Sequence, residues 1–314
     1  MRVAVALGGN ALLERGEPPV VEIQQKHVIA AVEALAPLAR EHDLVITHGN
    51  GPQVGLLALE SARDPDLPHP YPFDSLVAET QGMIGYLLLQ ALHNALPGQQ
   101  VAGLITQTLV ADDDPAFGNP TKFVGPVYGE SEAQALARRW GWQVRPDGTS
   151  WRRVVASPAP QAIIELPTIK VLLADGTVVI CAGGGGIPVR RSTDGQLHGV
   201  EAVIDKDATT ALLAENLAAD TLLLLTDVPA VELDYGKPTA RSIDRISAQE
   251  LEQLPFPSGS MGPKVAAACR FVRRTHNDAA IGRLGDAAEL LAGTAGTTIY
   301  DGTTGLERRT GEAP

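Results

Sequence analysis

Three of the six lysines in this sequence lie in segments whose residue types suit the handling of a phosphoryl group. Lys206 stands between two aspartates where a helix is predicted to start, Lys264 follows a turn of small residues, and Lys122 lies in a segment rich in Pro, Gly and Asp. Phosphoryl transfer needs in-line positioning, donors for the equatorial oxygens and cations where negative charge builds up. Ammonium groups from separate segments could supply those cations.

Each of these lysines also has an ordinary structural explanation. Lys206 could form a solvated triplet of charges with Asp205 and Asp207, and an acid in the first helical turn complements the helix dipole without doing any chemistry. Lys264 could be a solvated residue behind a serine N-cap, and Lys122 an exposed loop cation. In the functional interpretation, Asp205 orients the lysines and is not a base, since an ionised acceptor already carries its charge. A role for Asp205 as a helix N-cap is compatible with this.

Glycine-rich turns follow three of the apolar runs that we predict as strands. They are Gly8-Gly9-Asn10, Gly49-Asn50-Gly51 and the four glycines at 183–186. Glycine lets the backbone approach a ligand closely, and successive N–H groups then form a concave anion site. One such turn shows little, because any tight connection from strand to helix needs one. Three such turns at the carboxyl ends of strands indicate a site that binds phosphate through backbone N–H groups. The P-loop and dinucleotide-fold motifs are absent.

Other basic residues have simpler interpretations. His48 is interpreted as a turn residue bonded to nearby backbone, because transfer to an ionised acceptor leaves no proton for it to move. The pairs Arg152-Arg153 and Arg190-Arg191 could bind anions, but solvated charges at strand edges explain them more simply.

The composition fits an ordinary soluble globular protein, with 44% hydrophobic and 20% charged residues. A net charge of −12 without basic runs argues against nucleic acid or an anionic membrane as a partner. The chain opens directly into a predicted strand at Arg2 and has no apolar run long enough for a membrane span, so we expect a cytoplasmic protein. Cys181 and Cys269 are interpreted as small buried residues.

Apolar runs, glycine turns and amphipathic segments alternate along the chain, which predicts an α/β fold with a mainly parallel sheet and helices on both faces. Helices are predicted at 21–41, 53–63, 75–96, 130–140, 159–174, 206–218, 247–253, 260–275 and 286–292. The helix at 75–96 is apolar on more than one face, which predicts deep burial and a subunit interface. The stretch 112–129 is predicted to be a long lid or binding loop.

Six segments resemble carbamate kinase, a branch of the amino acid kinase superfamily, and they occur in the order in which that family has them. The resemblance covers nearly the whole chain, from Val3 to Ile299. The segments are ALGGNALL at 6–13, ITHGNGPQVGL at 46–56, VAETQGMIGY at 77–86, GGGGIPV at 183–189, GVEAVIDKD at 199–207 and GSMGPKV at 259–265. Departures from the usual pattern occur at Phe123, at Pro229 and over Ala208-Thr209-Thr210.

The resemblance implies a single amino-acid-kinase-like domain, folded as an open three-layer αβα sandwich around a mainly parallel sheet of about eight strands. It implies that the N-terminal half, about 1–200, holds carbamate and carries a small protruding lid subdomain at about 112–155. The C-terminal half, about 200–300, would hold the nucleotide, and the protein would be a homodimer.

The resemblance also implies roles for individual residues. The acceptor and the transferring phosphoryl group would be lined by Gly8, Gly9, Asn10, Gly49, Asn50 and Gly51. Lys206 and Lys264 would steady the phosphoryl oxygens, Asp205 would organise them, and Lys122 would reach in from the lid. The residues flanking ATP would be Thr226, Asp227, Met261 and Gly262. Mg²⁺ would be held mainly by the phosphates of ATP, without a metal site made by the protein.

The implied reaction is reversible transfer between ADP plus carbamoyl phosphate and ATP plus carbamate, which gives NH₃ and CO₂. One alternative is a kinase of the same superfamily with another small acceptor, such as acetylglutamate, an amino acid or UMP. A second alternative is a non-catalytic nucleotide sensor. Degenerate members of such families usually lose charged site residues, whereas Lys122, Lys206, Lys264 and Asp205 are all present here.

Overall fold

The computed structural model of the chain describes residues 1–9, 12–13, 17–18, 20–257, 259 and 261–302. Its strands are β1 (Arg2–Leu7), β2 (Asp43–His48), β3 (Val101–Gly103), β4 (Gln107–Leu109), β5 (Lys122–Tyr128), β6 (Gln143–Asp147), β7 (Ser150–Val155), β8 (Ala162–Ile163), β9 (Val178–Ile180), β10 (Ile187–Arg191), β11 (Leu197–Gly199), β12 (Thr221–Thr226), β13 (Val231–Leu233), β14 (Arg241–Ile243), β15 (Arg245–Ser247), β16 (Ala279–Arg283) and β17 (Thr297–Tyr300). Its helices are α1 (Val21–Glu41), α2 (Gly51–Arg63), α3 (Phe73–Ala95), α4 (Pro115–Gly118), α5 (Glu130–Trp140), α6 (Leu166–Ala174), α7 (Lys206–Asn216), α8 (Ala248–Leu251), α9 (Met261–Thr275) and α10 (Ala287–Leu291).

An eight-stranded sheet forms the centre of the molecule. Its strands lie in the order β15-β17-β16-β12-β1-β2-β9-β3. Every neighbouring pair is parallel except β16 and β17, which are antiparallel. The prediction of a mainly parallel sheet of about eight strands is therefore confirmed.

Alternation along the strands explains the layers on either side of this sheet. In β1 the side chains of Val3, Val5 and Leu7 face one way and those of Ala4 and Ala6 face the other, and all are fully buried. The first face packs against α1, α3 and α10, and the second against α6, α7, α8 and α9. Helices therefore cover both faces of the sheet, which confirms the predicted αβα sandwich.

A smaller antiparallel sheet, in the order β5-β7-β6, lies within the segment predicted to form a lid. The prediction of a long loop at 112–129 is wrong, because this stretch contains α4 and β5. Proline and glycine obscured the strand in the sequence. Pro126 is tolerated because β5 is an edge strand, and the pairing of β5 with β7 is interrupted by a bulge between Val124 and Val127.

Most predicted helices agree with the structure to within a few residues, but the helix predicted at 159–174 is wrong over its first part. The structure has the short strand β8 there, and α6 begins only at Leu166. Proline disfavours the helical conformation in the residue before it, and Pro158 and Pro160 lie at the start of this segment, which the apolar pattern alone did not take into account. None of the helices in the described ranges is both long and apolar enough to cross a membrane.

His48 ends β2 in a fully buried position. Its Nδ1 lies 3.0 Å from the carbonyl oxygen of Gly49, so Nδ1 carries the proton and donates it to that oxygen. Burial lowers the pKa of His48 to about 4; the hydrogen bond to Gly49 opposes this effect, and the charge of Lys206 adds to it. The interpretation of His48 as a turn residue bonded to nearby backbone is confirmed.

This lowered pKa predicts a pH dependence of stability. Between pH 6.5 and about 4 the unfolded chain protonates at His48 and the folded protein does not, so acid favours unfolding. The free energy of unfolding should fall by up to about 3 kcal/mol across this window because of His48 alone. Urea unfolding at a series of pH values measures the slope.

His48→Asn is the matched variant, because its amide can keep the donation to the Gly49 carbonyl without titrating. Asp and Glu side chains also titrate in this window, but they do so in both proteins. Their contributions to the pH dependence therefore cancel in the difference between the two slopes. Equal slopes for the wild type and His48→Asn would contradict the prediction.

Candidate functional site

The predicted glycine turns lie side by side at one edge of the large sheet. They follow β1, β2 and β9, and β12 ends beside them, because these four strands are neighbours and run parallel. The turns continue the sheet's hydrogen bonds. The N–H of Gly8 donates to the carbonyl of Leu225 over 3.1 Å, and that of Gly49 donates to Leu7 over 3.0 Å.

Close contacts explain why glycine is needed in these turns. A Cβ added to Gly49 would lie 2.8 Å from the backbone nitrogen of Gly9, so a side chain there would separate the first two turns. Gly184 has a φ of +65°, and a Cβ on it would lie 2.2 Å from Nδ2 of Asn50. That amide is buried and donates to Oγ1 of Thr80 over 2.9 Å. Asn10, which was also predicted here, lies outside the described residues.

Gly51 is the first residue of α2, so this helix begins at the same edge of the sheet. The side chain of Asn50, the N-cap residue, makes no capping hydrogen bond. Backbone N–H groups in the first turn of a helix have no partner inside the helix, and they favour an anion. The predicted substrate-side residues 8–9 and 49–51 thus form one surface. The N–H groups of Gly8 and Gly49 are engaged in the sheet, so the donors for a ligand would come from the rest of these turns and from the start of α2.

Two lysines from different helices share one carboxylate. Nζ of Lys206, in α7, lies 2.7 Å from Oδ1 of Asp207, and Nζ of Lys264, in α9, lies 3.0 Å from Oδ2 of the same residue. The side chains of Lys206 and Lys264 are 11% and 13% exposed, and that of Asp207 is 7% exposed. An ammonium group has three donors, and Asp207 takes one from each lysine, so others can reach a phosphoryl oxygen.

The charges of this group stabilise one another. Burial by itself raises the pKa of Asp207, but the ammonium groups of Lys206 and Lys264 outweigh it and hold that pKa well below its ordinary value. Burial lowers the pKa of Lys206, and Lys264 lowers it further, while Asp207 opposes both. With all three groups ionised, the cluster has a net charge of +1 in a largely buried position, which suits an anionic ligand.

Asp205 does not make the contacts that the sequence predicted for it. The carboxylate that touches Lys206 and Lys264 is that of Asp207, which had been interpreted only as a complement to the helix dipole. Oδ2 of Asp205 accepts a hydrogen bond from Nζ of Lys122 over 3.1 Å instead. Its Oδ1 accepts from the N–H of Ala208 over 3.1 Å, which confirms the predicted N-cap.

The first turn of α7 explains this exchange of roles. It directs Asp207 into the protein toward α9, whereas Asp205, just before the helix, faces the small sheet. Three lysines from β5, α7 and α9 thus contact two carboxylates that are two residues apart. The structure brings Lys206 and Lys264 onto one carboxylate and Lys122 onto a neighbouring one. That the three lysines share one phosphoryl group stays a prediction.

Two buried threonines that the sequence analysis noted only as departures from a pattern fix the position of α7. Oγ1 of Thr209 donates to the carbonyl of Gly185 over 3.0 Å. Oγ1 of Thr210 lies 2.7 Å from Oγ1 of Thr47 in β2. Both threonines are fully buried, and a polar pair within the apolar stripe of a predicted helix is the signal that could have revealed them.

The predicted nucleotide-side residues lie at the ends of two elements. Thr226 ends β12 and donates from Oγ1 to Oδ1 of Asp227 over 3.0 Å. Met261 and Gly262 begin α9, where the N–H of Gly262 donates to the carbonyl of Pro257 over 3.0 Å. That N–H is therefore engaged within the protein. The assignment of these four residues to the nucleotide stays a prediction.

The described part of the chain holds no group of three or more His, Cys, Asp or Glu side chains that could bind a metal ion. Asp205 and Asp207, the carboxylates among the converging lysines, both contact ammonium groups. These residues fit a cation that is coordinated by phosphate oxygens of a nucleotide rather than by the protein.

Comparison with known proteins gives consistent results. The model of the amino acid kinase family matches residues 1–282. The chain is 54% identical over 303 residues to a carbamate kinase of Rhizobium meliloti, covering 95% of this chain and 93% of the relative. It is 51% identical over 307 residues to a carbamate kinase of Haemophilus influenzae, covering 98% and 99%.

A solved structure, the carbamate kinase of Giardia lamblia bound to AMP-PNP, superposes with a TM-score of 0.89. It is 39% identical in sequence, and the superposition covers 96% of this chain and 98% of the other. A structure from Aeropyrum pernix has a TM-score of 0.90 at 43% identity, covering 96% and 100%. Matches of this extent show common ancestry over the whole domain. The chain belongs to the amino acid kinase family and, within it, groups with the carbamate kinases.

Proposed function

We propose that the protein transfers a phosphoryl group reversibly between ATP and carbamate, so that ADP and carbamoyl phosphate give ATP and carbamate, which breaks down to NH₃ and CO₂. The observation that carries this proposal is the buried pair of ammonium groups on Asp207, beside turns rich in backbone donors. The names of relatives at 51–54% identity support carbamate as the acceptor.

The geometry suggests how these residues act. Carbamate would lie against the turns at 8–9 and 49–51, where backbone N–H groups bind its carboxylate and the transferring group. A carbamate oxygen attacks the γ-phosphorus, and the bond from that phosphorus to the β,γ-bridging oxygen breaks as ADP leaves. Lys206 and Lys264 stabilise the charge on the equatorial oxygens during this transfer.

No general base is required, because the attacking oxygen is already ionised. His48 agrees with this, since it is neutral and its Nδ1 proton is donated to Gly49. Asp207 likewise keeps its charge throughout, because the ammonium groups of Lys206 and Lys264 hold its pKa well below the ordinary value of a carboxyl group. Its role is to hold two cations at fixed positions.

A kinase that binds ATP requires a divalent cation, and we propose Mg²⁺. When bound, the Mg²⁺ ion would neutralise negative charge on the β- and γ-phosphates of ATP. Because Asp205 and Asp207 already bind lysines, the nucleotide would provide most of its ligands. The nucleotide would bind to the C-terminal half, about 200–300, beside Thr226, Asp227, Met261 and Gly262.

We further propose a homodimer that forms at the β3 edge of the large sheet. Exposed apolar side chains surround this edge: Met83 and Tyr86 on α3, Ile105 just after β3, and Val171 on α6. A second copy of the chain could cover these side chains together with the unpaired strand edge. A cytoplasmic location is consistent with Cys181 and Cys269, which are both free and buried.

Purified protein given ADP, Mg²⁺ and carbamoyl phosphate should form ATP, measured by a coupled luminescent assay. In the opposite direction, carbamate should be a better acceptor than acetylglutamate, amino acids or UMP tested side by side. Activity with another member of that panel and none with carbamate would replace the proposed acceptor. Nucleotide binding without any turnover would support a sensor.

Lys206→Ala and Lys264→Ala should each lower kcat by roughly a hundredfold or more, since each removes a cation that stabilises the transition state. Asp207→Asn should also lower kcat, because it leaves two buried ammonium groups without their carboxylate. Lys237→Ala is the control, since that lysine is 66% exposed and pairs with Asp234 on the surface. Normal turnover in both Lys206→Ala and Lys264→Ala would show that the site lies elsewhere.

Light scattering coupled to size exclusion should give twice the chain mass of 33.0 kDa. Tyr86→Glu places a charge within the proposed interface and should shift the protein toward the monomer. Tyr235→Glu changes a similarly exposed tyrosine between β13 and β14 and should leave the mass unchanged. A monomeric wild type, or equal behaviour of both variants, would contradict this interface.

A further inference from the structure

Arg153 is a buried cation in the small sheet, although the sequence analysis interpreted it as a solvated charge. Its side chain is only 10% exposed and forms an ion pair with Glu201. The guanidinium carbon lies 4.2 Å from the ring centroid of Trp142 and 4.8 Å from that of Phe73. A guanidinium that contacts two aromatic rings and a carboxylate has a defined position and orientation, which an exposed arginine lacks.

The partners of Arg153 belong to two different parts of the molecule. Trp142 comes just before β6 of the small sheet, whereas Phe73 is the first residue of α3 in the main body. Glu201 joins them, because its Oε2 accepts a hydrogen bond from the N–H of Phe73 over 2.9 Å and its Oε1 contacts Arg153. Arg153 therefore fastens the small sheet to the main body.

The pairing of β5 with β7 places Arg153 on the same side of the small sheet as Lys122. Val124 is paired with Arg153, and Lys122 with Val155. Because side chains alternate along a strand, these four share one face. Val124 and Val155 are buried together with Val203, so this face is the one that rests on the main body.

The segment opposite this face presents matching residues at every second position. Glu201 contacts Arg153, Val203 packs with the two valines of the sheet, and Asp205 accepts from Lys122. Two ion pairs thus lie on either side of an apolar layer. The backbone fixes the register, because Ala156 bridges to Ala202 and its carbonyl accepts from the N–H of Val203 over 3.0 Å.

We propose that Arg153 is a positioning residue that locks the small sheet onto Glu201 and Phe73 and thereby sets where the ammonium group of Lys122 lies. The apolar layer resists separation of the two surfaces, and the bridge of Ala156 to Ala202 fixes the register just after β7. Neither contact orients the strands farther from that bridge, whereas the ion pair and the two aromatic rings define one arrangement at Arg153. Without Arg153, β5 and β7 turn about the Ala156 bridge, and Lys122 shifts with them. This inference rests on the proposed function, and it adds to it that Lys122 reaches in from the small sheet and binds carbamoyl phosphate.

The first test is a double-mutant cycle in the direction of ATP formation. Lys122→Ala should raise the KM for carbamoyl phosphate more than it lowers kcat. Arg153→Met keeps an apolar stem without the charge and should raise the same KM by roughly tenfold, because small displacements of a positioning group have large effects. If Arg153 acts through Lys122, the double variant will have a KM close to that of Lys122→Ala. Effects that multiply would overturn the proposal.

Two further variants separate positioning from general damage. Arg152→Met is the matched control, since Arg152 pairs with Asp147 inside the small sheet over 3.0 Å and should leave the KM unchanged. Arg153→Lys keeps the charge but lacks the planar guanidinium, and it should restore part of the lost affinity. A KM that rises equally in Arg152→Met and Arg153→Met would overturn the proposal.

A second test does not depend on activity. Hydrogen exchange of the backbone amides of β5, measured by mass spectrometry, should be faster in Arg153→Met than in the wild type and unchanged in Arg152→Met. Should Arg153→Met not fold, Glu201→Gln removes the charge, keeps an acceptor for the N–H of Phe73, and should show the same faster exchange. Unchanged exchange in the folded variants would overturn the proposal even if ATP is formed. If the wild type forms no ATP, the proposed function fails. Hydrogen exchange of β5 still tests whether Arg153 holds the small sheet in position.

Discussion

The arrangement of the site depends on one buried carboxylate that binds two ammonium groups. Two cations in a largely buried position repel each other and lose hydration, and neither cost would be tolerated without a compensating charge. Asp207 provides it from a position in the first turn of α7, so the two lysines can come from helices far apart in sequence. Everything that fixes the start of α7 therefore also fixes the charge that a phosphoryl group would meet.

Small and hydroxyl-bearing residues bring α7 to that position. Ala4 and Ala6 of β1 occupy little space on the sheet face that α7 covers, which allows the helix to approach closely. Thr209 and Thr210 then hydrogen-bond to the turn after β9 and to β2. The same two strands carry glycine turns of the candidate site, so the cations and the backbone donors are held on one rigid framework.

The sequence was sufficient for the fold and for the segments that meet at the candidate site, but it could not decide between chemically equivalent partners. Apolar runs, glycine turns and amphipathic segments predicted a mainly parallel sheet with helices on both faces, and the resemblance to carbamate kinase implied the αβα sandwich. The lysine-bearing segments predicted ammonium groups brought together from distant parts of the chain. Asp205 and Asp207 flank the same lysine, and only the direction of the first helical turn distinguishes the one that faces Lys264. Arg153 was misjudged for a related reason, since its burial depends on Phe73 and Glu201, which are distant in sequence. Contacts of this kind follow from tertiary packing and leave no local pattern.

The difference in burial between the two aspartates suggests different roles for the lysines they bind. Asp207 and its lysines are almost fully enclosed, so breaking that group would leave an uncompensated buried charge. The side chains of Lys122 and Asp205 are 37% and 25% exposed, and a pair of that kind contributes only about 0–1 kcal/mol. In the proposed function, Lys122 would therefore leave Asp205 for an oxygen of the substrate at little cost, whereas Lys206 and Lys264 would stay in place. The Lys122–Asp205 pair is then too weak to hold the small sheet against the main body. That task falls to the side chain of Arg153, which is only 10% exposed and contacts Phe73 as well as Glu201, and to the valine layer beside it.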